Sequence, residues 1–242
     1  MPVRELVSRD AHRLSLGGAG VEYVLERRRG RRGVGLRVDE HGLKVSAPVS
    51  MPLARIEAIV RESERWVLRK VAEWSGKRVA PLAWIDGAQL PWLGGHLTLR
   101  LVPGSRARAT RNGNELRVAA PSGDTDAVRR AVVRWYKSVA HDVLSARVEA
   151  LALAAKLAPP KVMISPALTR WGSCNARREV RLAWRLVKAP PDLVDYVICH
   201  ELAHLKHMNH SRSFWSEVER QCPDYRRLRA QLLATDHLYR TF

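Results

Sequence analysis

The sequence predicts an α+β fold, with a strand-rich N-terminal half and a helix-rich C-terminal half. Short alternating runs separated by glycine turns fill much of residues 21–121. Apolar residues three and four apart dominate from residue 124 onward. The stretch PSGD, residues 121–124, stands between the two patterns and marks the seam.

Residues 1–20 are polar and mixed in charge and read as a loose tail. Residues 21–122 form the strand-rich part. VEYVLERR (21–28), VGLRVDE (34–40) and LKVSAP (43–48) alternate in part and suggest a hairpin or meander. One helix is expected from Pro52 to Trp74, with Ser50 as its cap and Pro52 in its first turn. DGAQLPWLGGHLTLRLV (86–102) carries two further strands, and ELRVAAP (115–121) another.

Residues 123–242 form the second part. A long helix follows Asp124, with Val128, Ala131, Val132, Trp135, Val139, Val143, Ala146 and Ala150 on one stripe and a break expected near Ser145. Pro159-Pro160 ends it. VMIS (162–165) and VRLAWRLV (180–187) read as strands around a loop holding RWGSC (170–174). Pro190-Pro191 opens a third helix, HSRSFWSEVERQC a fourth and PDYRRLRAQLLA the last. No internal repeat is evident.

The composition excludes several classes. At 46% hydrophobic residues the chain is rich enough for a real core. No apolar run approaches the length of a membrane span. The N-terminus lacks the apolar segment of a secretory signal, so a cytoplasmic location is expected. Cys174, Cys199 and Cys222 form no CxxC pair and read as reduced thiols. The net charge of +18 favours polyanionic partners, with nucleic acid and nucleotides among them. That excess is spread along the chain. Its densest stretch, ERRRGRRG (Glu26–Gly33), is either a phosphate-binding loop or a solvated hairpin end.

The chemistry concentrates in CHELAHLKHMNHSRSFW, residues 199–215. His200, Glu201 and His204 form HExxH. Residues i and i+4 of a helix lie one turn apart on one face, so two imidazoles reach one ion. The glutamate between them sits at the edge of the same site, placed to move a proton rather than to bind metal. A catalytic zinc needs a third protein ligand and an open position for water. His210 follows His200 by ten residues, the first-to-third spacing of HExxHxxGxxH sites, although no glycine stands at the turn here. Asn209 tolerates the left-handed turn that would end the helix. His207 competes, but on an unbroken helix it lies about 10 Å along the axis from His200. Glu217 and Glu219 are further alternatives. His210 is favoured. An apolar helix that turned these polar groups inward with no metal would be costly.

HELAHLKHMNHSRSFW, the PDYRR after it, and the TRWGSC and LAWRL before it resemble the YgjP-like metallopeptidase family, metal-dependent hydrolases with a SprT-like zinc core. The strands leading to SAP, the helix with a late tryptophan and PWLGG extend the resemblance over most of the chain. It implies a zincin-like C-terminal half with one zinc per chain on His200, His204 and His210, and Glu201 as acid/base. Peptides or proteins would be the substrates. Arg170, Tyr196, His207 and Arg212 are candidates for stabilising an oxyanion. Trp171 to Cys174 either lines the site or forms a packed turn, and Cys174 is disfavoured as a ligand. Two other readings stand beside peptide hydrolysis. One is a nucleotide or phosphoanhydride hydrolase, suited to a basic protein. The other is a nucleic-acid-associated protein with a zinc core.

Overall fold

The structure, a computed structural model, describes residues 5–39, 42–75 and 80–242. Residues 1–4 of the expected tail and Glu40, the end of the expected second strand, lie outside these. The chain divides into two compact units, Met1–Ala80 and Pro81–Phe242. The fold is α+β, with three sheets and six α-helices among the described residues. The seam expected at 121–124 falls within the second unit.

In the first unit, β1 (Leu6–Leu16) and β2 (Ala19–Arg28) form a hairpin. A second hairpin joins β3 (Gly35–Asp39) to β4 (Gly42–Pro48), and the sheet order is β1-β2-β4-β3 with β2 and β4 parallel. The expected loose tail is therefore corrected: Leu6–Leu16 is a strand. It hid because β1 is an edge strand whose polar residues face solvent, and only Leu14 and Leu16 are buried. Its turn, Gly17-Gly18, has φ of 54° and 79°, the two positive values of a tight hairpin that glycine adopts without strain.

The expected helix over 52–74 is two helices, α1 (Leu53–Glu62) and α2 (Glu64–Ser75), broken at Ser63. Pro52, not Ser50, holds the N-cap position and makes no side-chain cap bond. Ile56, Val60 and Val67 pack with Leu25, Leu43, Val45 and Ala47 in this unit's core. Part of the arginine-rich stretch is structural. Arg27 Nη1 donates to the carbonyls of Val49 (3.0 Å) and Met51 (2.7 Å), and Arg28 pairs with Glu26 at 2.7 Å.

The second unit opens with the same layout. Strands β5 (Gln89–Trp92), β6 (Gly95–Pro103), β7 (Arg108–Asn112) and β8 (Glu115–Ala120) are ordered β5-β6-β8-β7, with β6 and β8 parallel. The registers correspond: Tyr23↔Leu43 and Leu25↔Val45 are matched by Leu99↔Leu116 and Leu101↔Val118. The first hairpin again turns on two positive φ values, Leu93 at 45° and Gly94 at 79°. LKVSAP and LRVAAP are its trace in sequence. The chain thus does hold an internal repeat, one that strand residues conceal because alternation preserves burial rather than identity. The polar RATRN of β7 gave no strand signal.

Helix α3 (Thr125–Ala154) starts at Asp124, whose carboxylate accepts from Ala127 N at 2.7 Å. It runs unbroken through Ser145, contrary to the expected break. Its inner row is Val132, Tyr136, Ala140, Leu144, Val148 and Ala152, spaced by four, while Trp135, Val139 and Val143 flank it half-buried. After α3 come β9 (Lys161–Ser165), β10 (Gly172–Cys174) and β11 (Glu179–Ala183), ordered β10-β11-β9. RWGSC therefore contributes an edge strand. The expected strand 180–187 stops at Ala183, and Trp184–Lys188 is a 3-10 turn. Helices α4 (Pro191–Ala203), α5 (Arg212–Gln221) and α6 (Tyr225–Tyr239) complete the unit. Leu116, Val132, Tyr136, Leu182, Trp184, Ile198 and Leu202 share one core, which holds α4 in place.

Candidate metal centre

Helix α4 is buried on nearly every side: Leu193, Val194, Tyr196, Val197, Ile198, Cys199, Leu202 and Ala203 are all inside. Asp195 is clamped by Arg147 of α3 through two bonds of 2.5 Å, a bidentate pair that fixes rotation as well as position. The helix ends at Ala203, with His204 at the C-cap. The N–H groups of Lys206 and His207 then bond to the Ala203 carbonyl. Ser211 caps α5 by accepting from Phe214 N. His210, next to that cap, is brought back towards the end of α4.

His200, His204 and His210 each offer one nitrogen, and these three atoms lie within 4.8 Å of one another. His200 Nε2 and His210 Nε2 are 3.2 Å apart. Tetrahedral ligands about 2.05 Å from zinc stand about 3.3 Å apart, so this pair fits a shared ion. His204 Nδ1 is 3.0 Å from the His207 carbonyl. A proton on Nδ1 would donate there and leave Nε2 as the ligating nitrogen. Phe214 packs under all three rings, with centroids 4.9, 4.5 and 4.7 Å from His200, His204 and His210. Burial, then the like charges of His204 and His210, push the His200 pKa down to about 4. Burial likewise lowers His204. Neutral imidazoles are the form that binds metal.

Glu201 is 5% exposed, and its Oε2 is buried without a hydrogen-bond partner. Burial raises its pKa to about 8, against the opposing charge of Arg170. Gly172 of β10 lies against it: a Cβ there would stand 2.6 Å from Glu201 Cγ and 2.7 Å from Cδ. Only glycine admits the strand so close.

The other sequence candidates are placed as follows. Arg170 is exposed and near enough to act on Glu201. Trp171 packs against α6, with Tyr239 at 6.4 Å and the Arg240 guanidinium at 4.6 Å over its ring. Tyr196 is buried beside His200 (6.3 Å between rings), and burial raises its phenol. His207 contributes its carbonyl to His204, and its ring is not in the histidine group. Arg212 is exposed in the first turn of α5. Glu217 is held by Arg220 (2.6 Å) and Lys206 (3.0 Å), its pKa pulled down to about 2 by these partners, led by Arg220, and Glu219 pairs with Arg226. Cys174 is half-buried near Glu201, and its thiol is raised by burial and then by that carboxylate. Among the described residues, the one group that could hold a metal is His200, His204 and His210.

The sequence reading did not name Phe214, Trp215 or Arg229 as parts of this neighbourhood; Gly172 stood within the stretch Trp171 to Cys174, which the sequence left open between lining the site and turning, and it lies against Glu201. Phe214-Trp215 carried a usable signal, two aromatic residues in the first turns of a helix just after the last histidine.

The chain matches the family described as YgjP-like, metallopeptidase domain, over residues 32–235. It belongs to that family. Among solved structures, the metallopeptidase zymogen of Pyrococcus abyssi abylysin is 25% identical over 41% of this chain and 98% of its own, with a TM-score of 0.36. No curated protein matches. Membership of the YgjP-like metallopeptidase family implies a divalent metal and a hydrolytic reaction on peptides or proteins. Among the described residues, no helix is long and apolar enough to cross a membrane.

Proposed function

We propose that this YgjP-like metallopeptidase hydrolyses peptide bonds with one zinc ion per chain on His200, His204 and His210, and with Glu201 as acid/base. The convergence of three imidazole nitrogens within 4.8 Å beside a buried carboxylate carries this reading. A zinc ion on three histidines supplies Lewis-acid polarisation of water and of a carbonyl. Glu201 takes a proton from the attacking water and passes it to the departing amide nitrogen as the C–N bond breaks and the new C–O bond forms. Its buried, unpartnered Oε2 suits a group that must hold the proton between the two events. Arg170 is the nearest cation among the four oxyanion candidates by its effect on Glu201, and Tyr196 the nearest hydroxyl-bearing ring to His200.

The edge strand favours an amide over a phosphoanhydride. Ala183 N donates to Trp171 O and Asn175 N to Glu179 O, so residues 171 and 175 face β11. By antiparallel alternation, Gly172 and Cys174 then turn their N–H and C=O groups to the open edge, beside Glu201. An extended peptide pairs with such an edge. The phosphoanhydride and nucleic-acid readings rest on net charge alone. The free cysteines agree with a reducing, cytoplasmic setting.

The test is cleavage of a mixed peptide library by the zinc-loaded chain, with Glu201→Gln as control. New termini from the wild type and none from the variant support the reading. Equal cleavage by both contradicts it.

A further inference from the structure

A second feature lies beside the histidine group. Trp215 of α5 stands 5.7 Å from His200 and 5.9 Å from His210, ring to ring. Tyr225 of α6 stacks on it at 5.5 Å and 18°. Trp215, Tyr225, Arg226, Arg229, Ala230 and Leu233 line a cleft of about 480 Å³. Leu233 at its rim is 66% exposed.

The cleft is aromatic below and cationic at the sides. The Arg229 guanidinium lies 5.1 Å over the Trp215 ring and that of Arg226 lies 5.2 Å over Tyr225. Arg226 shares an exposed ion pair with Glu219 at 3.1 Å. Arg229 pairs with no carboxylate among the described residues. A guanidinium held over a ring is pre-oriented, while its in-plane N–H donors remain available for both oxygens of a carboxylate. An unpaired cation on an aromatic floor, one ring away from two metal ligands, suits recognition of an anion next to the bond being cut.

We propose that the Trp215–Arg229 cleft is a specificity subsite for a substrate carboxylate, with Arg229 as its main donor and Arg226 as flanking charge. It rests on the peptidase reading. The carboxylate is supplied by an Asp or Glu side chain near the scissile bond, or by the substrate's own C-terminus. Arg229 is a specificity residue: it meets the substrate away from the reacting atoms.

Binding, not turnover, tests it. The zinc-loaded Glu201→Gln chain is titrated with N-acetylated alanine hexapeptides in which one Glu, or one Gln, is moved through each position. The all-alanine peptide is added as free acid and as amide. Calorimetry reports Kd. At least one carboxylate peptide is expected to bind about tenfold more tightly than its neutral counterpart, a difference that Arg229→Gln abolishes while neutral peptides are unaffected. A gain for Glu peptides assigns the side chain, and a gain for the free acid assigns the C-terminus. Arg229→Glu should reverse the preference towards peptides carrying Lys. No gain from a carboxylate at any position, or a gain that survives Arg229→Gln, overturns the proposal. So does binding of ADP with none of the peptides, which would favour the phosphoanhydride reading. A charge preference in binding without cleavage by the wild type would keep the subsite and overturn peptide hydrolysis instead.

Discussion

Substituting Gly172 by alanine places one methyl group where Glu201 now stands. The added carbon would lie 2.6 Å from Glu201 Cγ and 2.7 Å from Cδ, whereas carbon atoms rest about 3.5–4.0 Å apart. The overlap of about 1 Å must be relieved. β10 can move outward only by stretching its bonds to β11, from Ala183 N to Trp171 O and from Asn175 N to Glu179 O, and α4 is fixed by the Arg147–Asp195 pair and by its buried faces. The Glu201 carboxylate is the part that yields. A displacement of about 1 Å in a reacting group costs about a hundredfold in rate, and overpacking of this size costs about 1–3 kcal/mol of stability. The atoms nearest the new methyl group all belong to Glu201, so zinc is expected to remain bound. The assay compares kcat, zinc content and Tm of Gly172→Ala with the wild type. A fall of about a hundredfold in kcat with stoichiometric zinc is expected. Unchanged kcat would mean that the contact between β10 and Glu201 does not set the geometry of catalysis, and the role given to Gly172 would be wrong.

Further outcomes follow from three individual side chains. Glu201→Gln should keep zinc and lose about 10²–10⁴ in kcat. In the metal-free protein the wild-type carboxyl, raised to about 8 when folded against about 4.3 unfolded, binds its proton more tightly in the native state. Wild-type stability should therefore fall as pH rises from 4.3 to 8, a slope that Glu201→Gln removes in urea titrations at several pH values. His207→Ala should retain zinc and most activity, since His207 serves His204 through its carbonyl; zinc loss comparable to that of His204→Ala would show its ring to be a ligand. Lys188 is 1% exposed, donates to the Thr241 carbonyl and lies 3.3 Å over the Phe242 ring, while burial and the nearby Arg185 push its pKa down to about 6. The unfolded chain then holds the extra proton between pH 6 and about 10.4, so stability should rise with pH by up to about 1.4 kcal/mol per unit. Lys188→Met should flatten that slope and raise Tm at pH 7; an unchanged slope would mean that the lysine stays charged in its aromatic surroundings.

The site was legible in the sequence to a degree that the fold was not, for a physical reason. Metal ligation demands particular side chains at fixed spacings, so His200, His204 and His210 announced themselves, and the structure brings these three together. Strand and helix limits depend on contacts distant in sequence. β1 and β7 are polar edge strands that alternation alone does not reveal. The inner row of α3 differs from the expected stripe because both faces carry apolar residues, and only packing decides which lies deeper. The repeat of four-stranded layouts survives in register and, in sequence, in little more than LKVSAP and LRVAAP. Gly172 read only as part of a stretch that either lines the site or turns, because its importance lies in a contact with a residue 29 positions later. Arg229 was hidden among many other arginines, and only the structure distinguishes one over Trp215 from one in solvent.

Metal content addresses the three-histidine centre most directly. Wild type, His210→Ala and Glu201→Gln would be purified without added metal, offered zinc, desalted and analysed by mass spectrometry. About one zinc per chain is expected in the wild type and in Glu201→Gln, with a clear loss in His210→Ala. A wild type that takes up no metal, or a His210→Ala variant that holds it as firmly as the wild type, would contradict the proposed centre.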